Sequence, residues 1–353
     1  MKVLILGFAK LKYMPYLSLY LDTIDAAQND ITVFYFNRDD SPDAERRSGV
    51  GYHEFFYPLS DFDSKIKKAR TFLKYKKEAE KLIGSGDFDY IIAMHSWPAV
   101  LLGDLLTKHY PGRFIFDYRD YTYEKYRPFK SRIDRLVRAS QYIFVSSRAF
   151  LKVLPEGEKY VLTHNFTPHE ERTRHELRHS PVRVRFWGLL RHENTDRAII
   201  DALANDDRFE LHFHGRGGGY IEEYIRGRDI RNVFLHGEYF ARRIPGFAAE
   251  TELLLNIPSQ GMTSRLAVGN KLYDGAMYYV PQIGDSHTYM GRLIEKNGLG
   301  ICVDTGDKNL ADILYSYIQT LDADAFCSAC DSFIRTAEKE LDASAAVLRE
   351  LFN

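Results

Sequence analysis

The sequence predicts an α/β protein that contains two domains of similar size, each built around a parallel sheet. Short runs of apolar, β-branched and aromatic residues recur along the chain, and helix-length amphipathic stretches separate them. The run 3–6 is apolar at every position, which is typical of a strand covered on both faces. A length of 353 residues fits two domains of ordinary size.

In the first half, the predicted strands are residues 3–9, 31–37, 90–95, 114–117, 142–146 and 160–163. The predicted helices between them are residues 15–27, 63–83 and 99–109. In the second half, the predicted strands are residues 182–187, 209–214, 232–235, 252–257, 280–283 and 300–303. Helical spacing of Ala, Leu and acidic residues follows from about residue 309.

One segment interrupts this alternation. Residues 167–181 contain a single large apolar side chain, which indicates a linker or an exposed connection. The expected organisation is therefore a first domain over residues 1–168, a second over 182–308, and helices over 309–353. We expect the last of these helices to pack back on the first domain.

Composition excludes several classes of protein. The net charge is −1, with a balance of +5 over residues 1–168 and −6 over the rest, and this near-neutral total argues against a nucleic-acid-binding protein. No apolar run approaches the roughly 20 residues that span a bilayer, and the amino-terminal apolar run indicates a strand rather than a signal peptide. Three cysteines do not make a disulfide framework, which favours a cytoplasmic location.

Parallel α/β sheets bind ligands beyond the carboxyl ends of their strands. This rule selects the loops at residues 7–10, 95–97, 117–120, 188–191, 215–219 and 259–269. The glycine-rich loop 215–219 is not a dinucleotide fingerprint, because Tyr220 stands where the last glycine belongs and because the loop follows the second strand of its domain. It could approach a ligand closely or simply form a tight turn.

The segment Asn270-Lys-Leu-Tyr-Asp274 is the most informative of the second half. It opens a helix, and the free N–H groups and dipole of a helix start attract phosphate. Lys271 adds a positive charge, and Asp274 could accept hydrogen bonds from sugar hydroxyls. The alternative is a capped helix that carries a surface ion pair.

Together with this segment, four other strings resemble the donor domain of GT-B glycosyltransferases. They are Val184-Arg-Phe-Trp-Gly-Leu-Leu-Arg191, Leu211-His-Phe-His-Gly215, Asn232-Val-Phe-Leu-His-Gly237 and Leu254-Leu-Asn-Ile-Pro-Ser259. Their order and spacing resemble the large retaining family (family 4-like, group 1) that builds capsular and lipopolysaccharide sugars. The first half is similar through Ile91-Ile-Ala-Met-His95 and Ala139-Ser-Gln-Tyr-Ile-Phe-Val-Ser-Ser147.

The resemblance implies the GT-B fold, in which two Rossmann-like domains face each other across a cleft. It implies a UDP-type or GDP-type sugar donor, no further cofactor, no bound metal and retention of configuration. The acceptor would be a polysaccharide or a lipid-linked oligosaccharide. The expected catalytic residues are His95, which matches a histidine near the transferred sugar, and Asp120. The expected donor-binding residues are Gly7, Gly188, Arg191, Arg197, Gly215, Ser259, Asn270, Lys271, Leu272 and Asp274.

The sequence departs from the family pattern at two places. The family often has two glutamates eight positions apart, whereas this chain has Leu266 and Asp274. Leu189 stands where a basic residue usually follows the glycine, so Arg191 or Arg197 would replace it. Three alternatives stay open. They are a sugar-nucleotide epimerase on the same fold, a non-catalytic partner of an active transferase, which the missing glutamate at Leu266 favours, and a nicotinamide oxidoreductase, which the broken glycine pattern disfavours.

Other motifs are assigned structural roles. The three Asp-x-Asp strings at 61–63, 87–89 and 322–324 follow no apolar strand and are interpreted as turn or helix-start acids. Cys327 and Cys330 lie in a helical stretch without further metal ligands nearby. His212 and His214 project from one face of a strand and are interpreted as core or cleft histidines.

Residues 65–77 hold seven basic side chains and no acid. Phe62, Ile66, Ala69 and Leu73 fall on one face of the predicted helix, so the helix is amphipathic. It could pack on the core with a solvated basic face. It could instead lie on an anionic membrane at the inner face of the cell, with membrane or acceptor contacts through Lys67, Lys68, Arg70 and Lys74.

Overall fold

The computed structural model describes residues 1–60, 63–166, 172, 180–258 and 261–353. The chain forms two compact units, one made of residues 1–167 with 339–353 and the other of residues 168–338. The predicted linker, residues 167–181, lies almost wholly outside the described residues.

The first unit is a parallel sheet of seven strands with the order β3-β2-β1-β4-β5-β6-β7. Its strands are β1 Lys2–Leu6, β2 Asp30–Asn37, β3 Val50–Phe56, β4 Tyr90–Met94, β5 Phe114–Tyr118, β6 Tyr142–Val145 and β7 Tyr160–Leu162. Its helices are α1 Leu17–Thr23, α2 Lys65–Gly86, α3 Ser96–Leu101, α4 Gly103–His109 and α5 Arg127–Ala139, with short 3-10 turns at Leu11–Tyr13 and Arg148–Lys152.

The second unit is a parallel sheet of six strands with the order β10-β9-β8-β11-β12-β13. Its strands are β8 Val182–Trp187, β9 Phe209–His214, β10 Val233–Leu235, β11 Leu253–Leu255, β12 Gln282–Gly284 and β13 Gly300–Cys302. Its helices are α6 Glu193–Leu203, α7 Gly219–Ile225, α8 Ile244–Ala248, α9 Met262–Leu266, α10 Asn270–Met277, α11 Tyr289–Lys296, α12 Leu310–Thr320 and the first part of α13 Ala323–Phe352, with a 3-10 turn at Ala241–Arg243.

Each sheet is covered on both faces, as continuous apolar strands require. In the first unit, β1, β4 and β5 are buried along most of their length, and in the second unit β8 packs Val182, Val184 and Phe186 against α6 and α12. Both sheets are parallel throughout their described strands, so the α/β prediction of two Rossmann-like domains is confirmed.

The end of α13 belongs to the core of the first unit. Leu348 is fully buried there, and the Phe352 ring meets the edge of the Tyr90 ring at 5.0 Å. Glu340 also joins the first unit by accepting from Arg148 at 2.6 Å and by contacting His164 at 2.8 Å. Residues 339–353 therefore complete the core of a unit whose described strands all lie before residue 163.

The structure differs from the sequence predictions at two places in the first unit. β3 was not predicted, because its side chains are half-exposed and its sequence lacks an apolar run. The face of α2 that holds Ile66, Ala69 and Leu73 is exposed, so it does not pack on the core. The buried positions of α2 are instead Thr71, Tyr75, Ala79 and Ile83. Phe62 lies outside the described residues.

Candidate functional site

Two glycine loops meet beyond the carboxyl edge of the second sheet. Gly188 follows β8 with φ +141°, and Gly215 follows β9 with φ +146°. A Cβ placed on Gly215 would lie 1.7 Å from the carbonyl oxygen of Gly188, so no side chain fits between the loops. Glycine at position 215 is therefore required by the backbone, and it leaves main-chain groups close to the surface where a ligand would bind.

Lys271, in the first turn of α10, reaches the same edge. Its Nζ lies 4.2 Å from the centre of the Phe186 ring, and a Cβ placed on Gly188 would lie 3.6 Å from that Nζ. Burial lowers the pKa of Lys271 to about 8, while the nearby carboxylates of Asp274 and Asp196 act in the opposite direction. The lysine is thus a partly desolvated cation placed next to a helix start.

Asp274 lies one turn further along α10 and is held by the end of β8. The Trp187 indole donates its Nε1–H to Oδ2 of Asp274 at 2.9 Å. Burial raises the pKa of Asp274 to about 6, although the Trp187 hydrogen bond and Lys271 both favour its charged form. Because Trp187 is itself almost fully buried, the position of this carboxylate is fixed by the core.

The start of α6 contributes three further groups. Burial raises the pKa of Asp196 to about 6, and the Tyr220 hydroxyl donates a short hydrogen bond to its Oδ2. Burial lowers the pKa of His192 to about 4, and the charges of Lys271 and Arg191 add to this effect. Arg191 itself is exposed. The edge therefore combines two cations, Lys271 and Arg191, with two carboxyl groups of raised pKa.

Of the predicted donor-binding residues, the structure brings Gly188, Gly215, Lys271, Asp274 and Arg191 to this edge. Arg197 instead pairs with Glu193 and lies 4.7 Å from the centre of the Tyr224 ring.

Three other residues of the second unit were predicted to bind the donor: Ser259, Asn270 and Leu272. Asn270 is exposed at the start of α10, whereas the Leu272 side chain is fully buried, so it packs in the core. Ser259 lies outside the described residues.

Sequence reasoning missed Trp187, Asp196 and Tyr220. Trp187 and Tyr220 each lie one position from a glycine loop that was selected, but their contacts join elements that are distant in sequence. The sequence did contain an indication of Asp196. His192 and Asp196 lie four residues apart just after the Gly188 loop, and residues at this spacing share a helix face.

A cavity of about 220 Å³ lies beyond the ends of β11, β12 and β13. Ile257, Asp285 and Val303, which follow these strands, line it together with Thr195 of α6. Arg265, Asp285 and Asp304 are its charged lining groups, and His287 also lines it. Thr195 precedes Asp196 in the chain, so α6 contributes both to this cavity and to the edge that holds Lys271 and Asp274.

A row of stacked rings crosses β9 on the face of the sheet that also carries Trp187. Phe234, His212, His236, His214 and Phe247 follow one another with ring centres 4.9, 5.2, 4.2 and 4.0 Å apart and nearly parallel planes. Burial lowers the pKa of His212 to about 4 and that of His214 to about 3. The interpretation of His212 and His214 as packed histidines agrees with this arrangement.

The first unit has its own cluster beyond β4 and β5. His95 follows β4 with φ +73°, an uncommon backbone conformation for a side chain of this size. Its Nδ1 lies 3.5 Å from Oδ2 of Asp120, and its Nε2 makes a short hydrogen bond with the Tyr16 hydroxyl. The two predicted catalytic residues are therefore neighbours, and Tyr16 is an addition that the sequence did not reveal.

A buried ion pair between Arg119 and Asp117 packs against Tyr16. The Arg119 guanidinium lies 3.7 Å from the centre of the Tyr16 ring, and its Nε donates to Asp117 Oδ2 at 2.9 Å. Tyr20 donates to the same oxygen at 2.7 Å. Gly7 directly follows β1, and a Cβ placed on it would lie 2.8 Å from the Met14 sulfur, so a larger residue there would require the Met14 side chain to shift.

The predicted membrane or acceptor residues lie along α2. Lys67 pairs with Asp63 at 2.8 Å, and Lys74 lies 4.3 Å from the centre of the Tyr57 ring. Arg70 is exposed, and Lys68 is half-exposed. In the described part of the chain, no helix has both the length and the apolar character needed to cross a bilayer. Nor do the described side chains include a group of three His, Cys, Asp or Glu residues that could hold a metal ion.

Solved structures share this fold over the whole chain. No protein-family model and no curated protein matches the sequence. Sucrose-phosphate synthase from Thermosynechococcus elongatus has a TM-score of 0.75 at 13% identity, over 100% of this chain and 99% of that one. HepE from Anabaena, in complex with UDP and glucose, has a TM-score of 0.66 at 15% identity, over 99% and 98%. WaaG, a glycosyltransferase of lipopolysaccharide biosynthesis, has a TM-score of 0.66 at 9% identity, over 99% of each chain. The chain therefore has the GT-B fold, as the resemblance predicts.

Proposed function

We propose that the protein is a glycosyltransferase that moves a sugar from a nucleoside-diphosphate sugar to an acceptor hydroxyl. The observation that carries this proposal is the cluster of Lys271, Asp274 and Trp187 beside the Gly188 and Gly215 loops. A lysine at the start of a helix attracts phosphate. A fixed carboxylate one turn away can accept hydrogen bonds from ribose hydroxyls. The complex of HepE with UDP and glucose, on the same fold, supports a donor of this kind.

In the proposed complex, Asp274 binds the ribose, while Lys271 and Arg191 neutralise the diphosphate of a UDP-type or GDP-type donor. The N–H groups at the start of α10 add to this, so the site needs no bound metal or further cofactor. The transferred sugar would lie toward the cavity beyond β11–β13, where Asp285 and Asp304 accept hydrogen bonds from its hydroxyls. Arg197 is a weaker candidate, because Glu193 and Tyr224 already engage its side chain.

The proposed reaction retains the configuration of the sugar. The bond between the anomeric carbon and the diphosphate oxygen breaks, and the acceptor oxygen forms a bond to the same carbon. The departing diphosphate takes the proton of the acceptor hydroxyl. Lys271 and Arg191 stabilise the negative charge that develops on the diphosphate, which is the main electrostatic contribution expected of such a site.

His95 and Asp120 form the proposed catalytic pair of the first unit. A carboxylate 3.5 Å from Nδ1 favours the tautomer with a proton on that nitrogen, which leaves Nε2 to accept from Tyr16. In this arrangement His95 orients the sugar or the acceptor rather than serving as the principal base.

The proposed acceptor is a growing polysaccharide or a lipid-linked oligosaccharide, handled at the inner face of the cell membrane. The basic residues of α2, including Lys67, Lys68, Arg70 and Lys74, support a peripheral contact with anionic lipid.

One observation favours a second candidate, a non-catalytic glycosyltransferase-like partner protein. Leu266 is buried where the resemblance implies the first of two acids. Such a protein would bind the nucleotide without turnover. A sugar-nucleotide epimerase would differ from both by releasing a free sugar product in the absence of any acceptor.

The deciding experiment measures the melting temperature of the protein with UDP, GDP, CMP, ADP and NAD, each with and without EDTA. A ligand at a hundredfold its Kd adds about 2.7 kcal/mol, which should raise the melting temperature of a chain this long by several degrees. We expect a shift with one nucleoside diphosphate that EDTA leaves unchanged and that Asp274→Ala abolishes.

The matched control is Asp312→Ala, because this exposed carboxylate pairs with Arg208 on the surface of the same unit, away from α10. It should retain the shift. A shift with NAD alone would contradict the proposal. A shift with a nucleoside diphosphate, but no nucleotide release from the matching sugar donors with any acceptor, would favour the non-catalytic partner.

A further inference from the structure

The exposed face of α2 carries an apolar stripe. The Ile66 side chain is 66% exposed and that of Leu73 is 62% exposed, although helices of globular proteins normally bury such residues. The core side of α2 is already occupied by Thr71, Tyr75 and Ala79. The stripe therefore has no partner within the described part of the first unit.

An aromatic cluster lies next to this stripe. The Trp97 ring packs on the rings of Phe72 in α2, Tyr123 and Phe129 in α5. The distances between ring centres are 4.8, 5.7 and 5.8 Å, respectively. The rings of Trp97, Tyr123, Tyr126 and Phe129, with Pro128 and the Arg132 side chain, line a shallow, mainly apolar pocket of about 380 Å³. Tyr123 and Tyr126 are about half exposed, so their rings stand at its rim.

The stripe and the pocket form one continuous surface. A second cavity, of about 230 Å³, is bounded by Leu73 on α2 and by Arg132 and Arg135 on α5. Arg132 also lines the aromatic pocket, so the two depressions adjoin. We call the area marked by Ile66, Leu73, Trp97, Tyr123, Tyr126 and Arg132 the α2–α5 surface.

The charges around this surface are mainly positive. Arg70 and Lys74 flank the stripe on α2, and Arg132 and Arg135 lie on the exposed side of α5. Among the described residues, two acids also face it and each is paired: Asp63 with Lys67 at 2.8 Å and Asp104 with Arg135 at 3.6 Å. Exposed apolar groups within a basic border complement a surface that is apolar inside and negatively charged outside.

We propose that the α2–α5 surface binds a bilayer containing anionic phospholipid. Tyr123, Tyr126 and Trp97 would enter the interface, where amphipathic rings are favoured, and Ile66 and Leu73 would enter beside them. The basic side chains of both helices would contact lipid phosphates. This inference rests on the proposed membrane contact of residues 65–77 and adds to it an apolar insertion that involves α3 and α5.

The two tryptophans of the sequence allow a direct measurement. Trp187 is almost fully buried in the second unit, whereas Trp97 lies at the proposed surface. We expect Trp187→Phe protein to show a blue shift of Trp97 emission with vesicles of phosphatidylcholine and phosphatidylglycerol. Brominated acyl chains should quench this emission, and pure phosphatidylcholine vesicles should produce little change.

Variants separate insertion from simple charge attraction. The triple change Ile66→Ser, Leu73→Ser and Tyr126→Ser should weaken co-sedimentation with the anionic vesicles at least tenfold. The control Leu151→Ser removes an exposed leucine elsewhere in the first unit and should have no effect. All these side chains are exposed, and unchanged melting temperatures would show that the variants fold.

Three results would overturn the inference. In the first, the triple variant still binds the vesicles, but the double variant Lys67→Glu with Arg70→Glu does not. The charges of α2 would then be sufficient for membrane binding without apolar insertion. The second is absence of binding to any vesicle. The third is a dimer, seen by light scattering, that the triple variant dissociates, because a second copy would then cover the surface. The nucleotide melting assay concerns the second unit, so it separates failure of this inference from failure of the transferase proposal.

Discussion

The indole Nε1–H of Trp187 donates to Oδ2 of Asp274 at 2.9 Å, and so joins the end of β8 to the first turns of α10. The contact holds one carboxylate oxygen of Asp274 in place. The Trp187 side chain that makes it is almost fully buried. The position of the carboxylate therefore depends on the packing of the core of the second unit.

From this contact we predict that Trp187→Phe weakens nucleoside diphosphate binding without abolishing it. A hydrogen bond to a charged group contributes about 1.5–3 kcal/mol, which corresponds to roughly ten- to hundredfold in affinity. Titration calorimetry with the nucleotide found in the melting assay would measure the loss. Unchanged affinity in a folded variant would show that Trp187 does not position Asp274 for the ligand.

The lowered pKa of Lys271, about 8, predicts a pH dependence of binding. Above that pH the lysine loses its proton, so its attraction for the diphosphate disappears and the Kd should rise between pH 8 and 10. Lys271→Arg should bind nearly equally at both values, because arginine stays protonated throughout this range. An equal loss in wild type and Lys271→Arg would place the titrating group elsewhere.

Gly215→Ala is predicted to destabilise the second unit by more than about 2 kcal/mol, since backbone strain at such a position adds to a steric clash. The added Cβ would lie 1.7 Å from the Gly188 carbonyl oxygen. Gly219→Ala is the matched control, because nothing lies within 4 Å of its added Cβ. Denaturant unfolding monitored by Trp187 fluorescence would compare them, and equal stability of the two variants would refute the close approach.

The stacked histidines predict that the second unit loses stability in acid. His212 and His214 have folded-state pKa values of about 4 and 3, well below the usual 6.5, so the unfolded chain binds protons first as the pH falls. The free energy of unfolding should therefore decrease from about pH 6.5 toward pH 4.

His214→Phe should reduce this acid sensitivity by keeping a ring in the stack without a titrating group. The control is His287→Gln, because His287 is largely exposed. Melting temperatures at pH 7 and pH 4.5 would test the prediction, with an expected difference of several degrees between the variants. If His214→Phe melts in parallel with the wild type at both pH values, the stack does not cause the loss.

Phe352→Ala is predicted to destabilise the first unit by about 3–5 kcal/mol, as expected for a buried aromatic ring removed from a core. The ring contacts Tyr90 of β4, so faster hydrogen exchange should appear in β4 and its neighbouring strands. Phe240→Ala, which removes a ring that is 67% exposed, should change the stability little. Exchange that rises only in the second unit would contradict the assignment of this helix end to the first.

Most strands were predictable from the sequence because continuous apolar runs mark buried parallel strands. The sequence did not predict β3, because this strand lies at the edge of its sheet and consists of half-buried and exposed residues. The sequence also left open whether the α2 face with Ile66 and Leu73 packs on the core, because the helix has two candidate stripes and hydropathy favours this one. Packing instead selects Tyr75, whose hydroxyl donates to the Gly7 carbonyl at 2.8 Å.

For the candidate site, the sequence indicated the groups whose position follows from local structure, such as Lys271 and Asp274 at the start of a helix. It did not indicate Trp187, Tyr220 or Tyr16, because their contacts join elements far apart in the chain. Spacing along the sequence reports which residues share an element, but it does not report which elements meet.

The return of residues 339–353 to the first unit bears on how the protein is made. The strands of that unit leave the ribosome early, but Leu348 and Phe352 are added to its core almost two hundred residues after β7. The second unit contains all of its own strands by residue 302, so it can complete its sheet while the first still lacks part of its core. The usual order of domain folding during synthesis, amino-terminal first, is therefore reversed for the final step. Until residues 339–353 have left the ribosome, the nascent first unit would expose the apolar surface that Leu348 and Phe352 later cover.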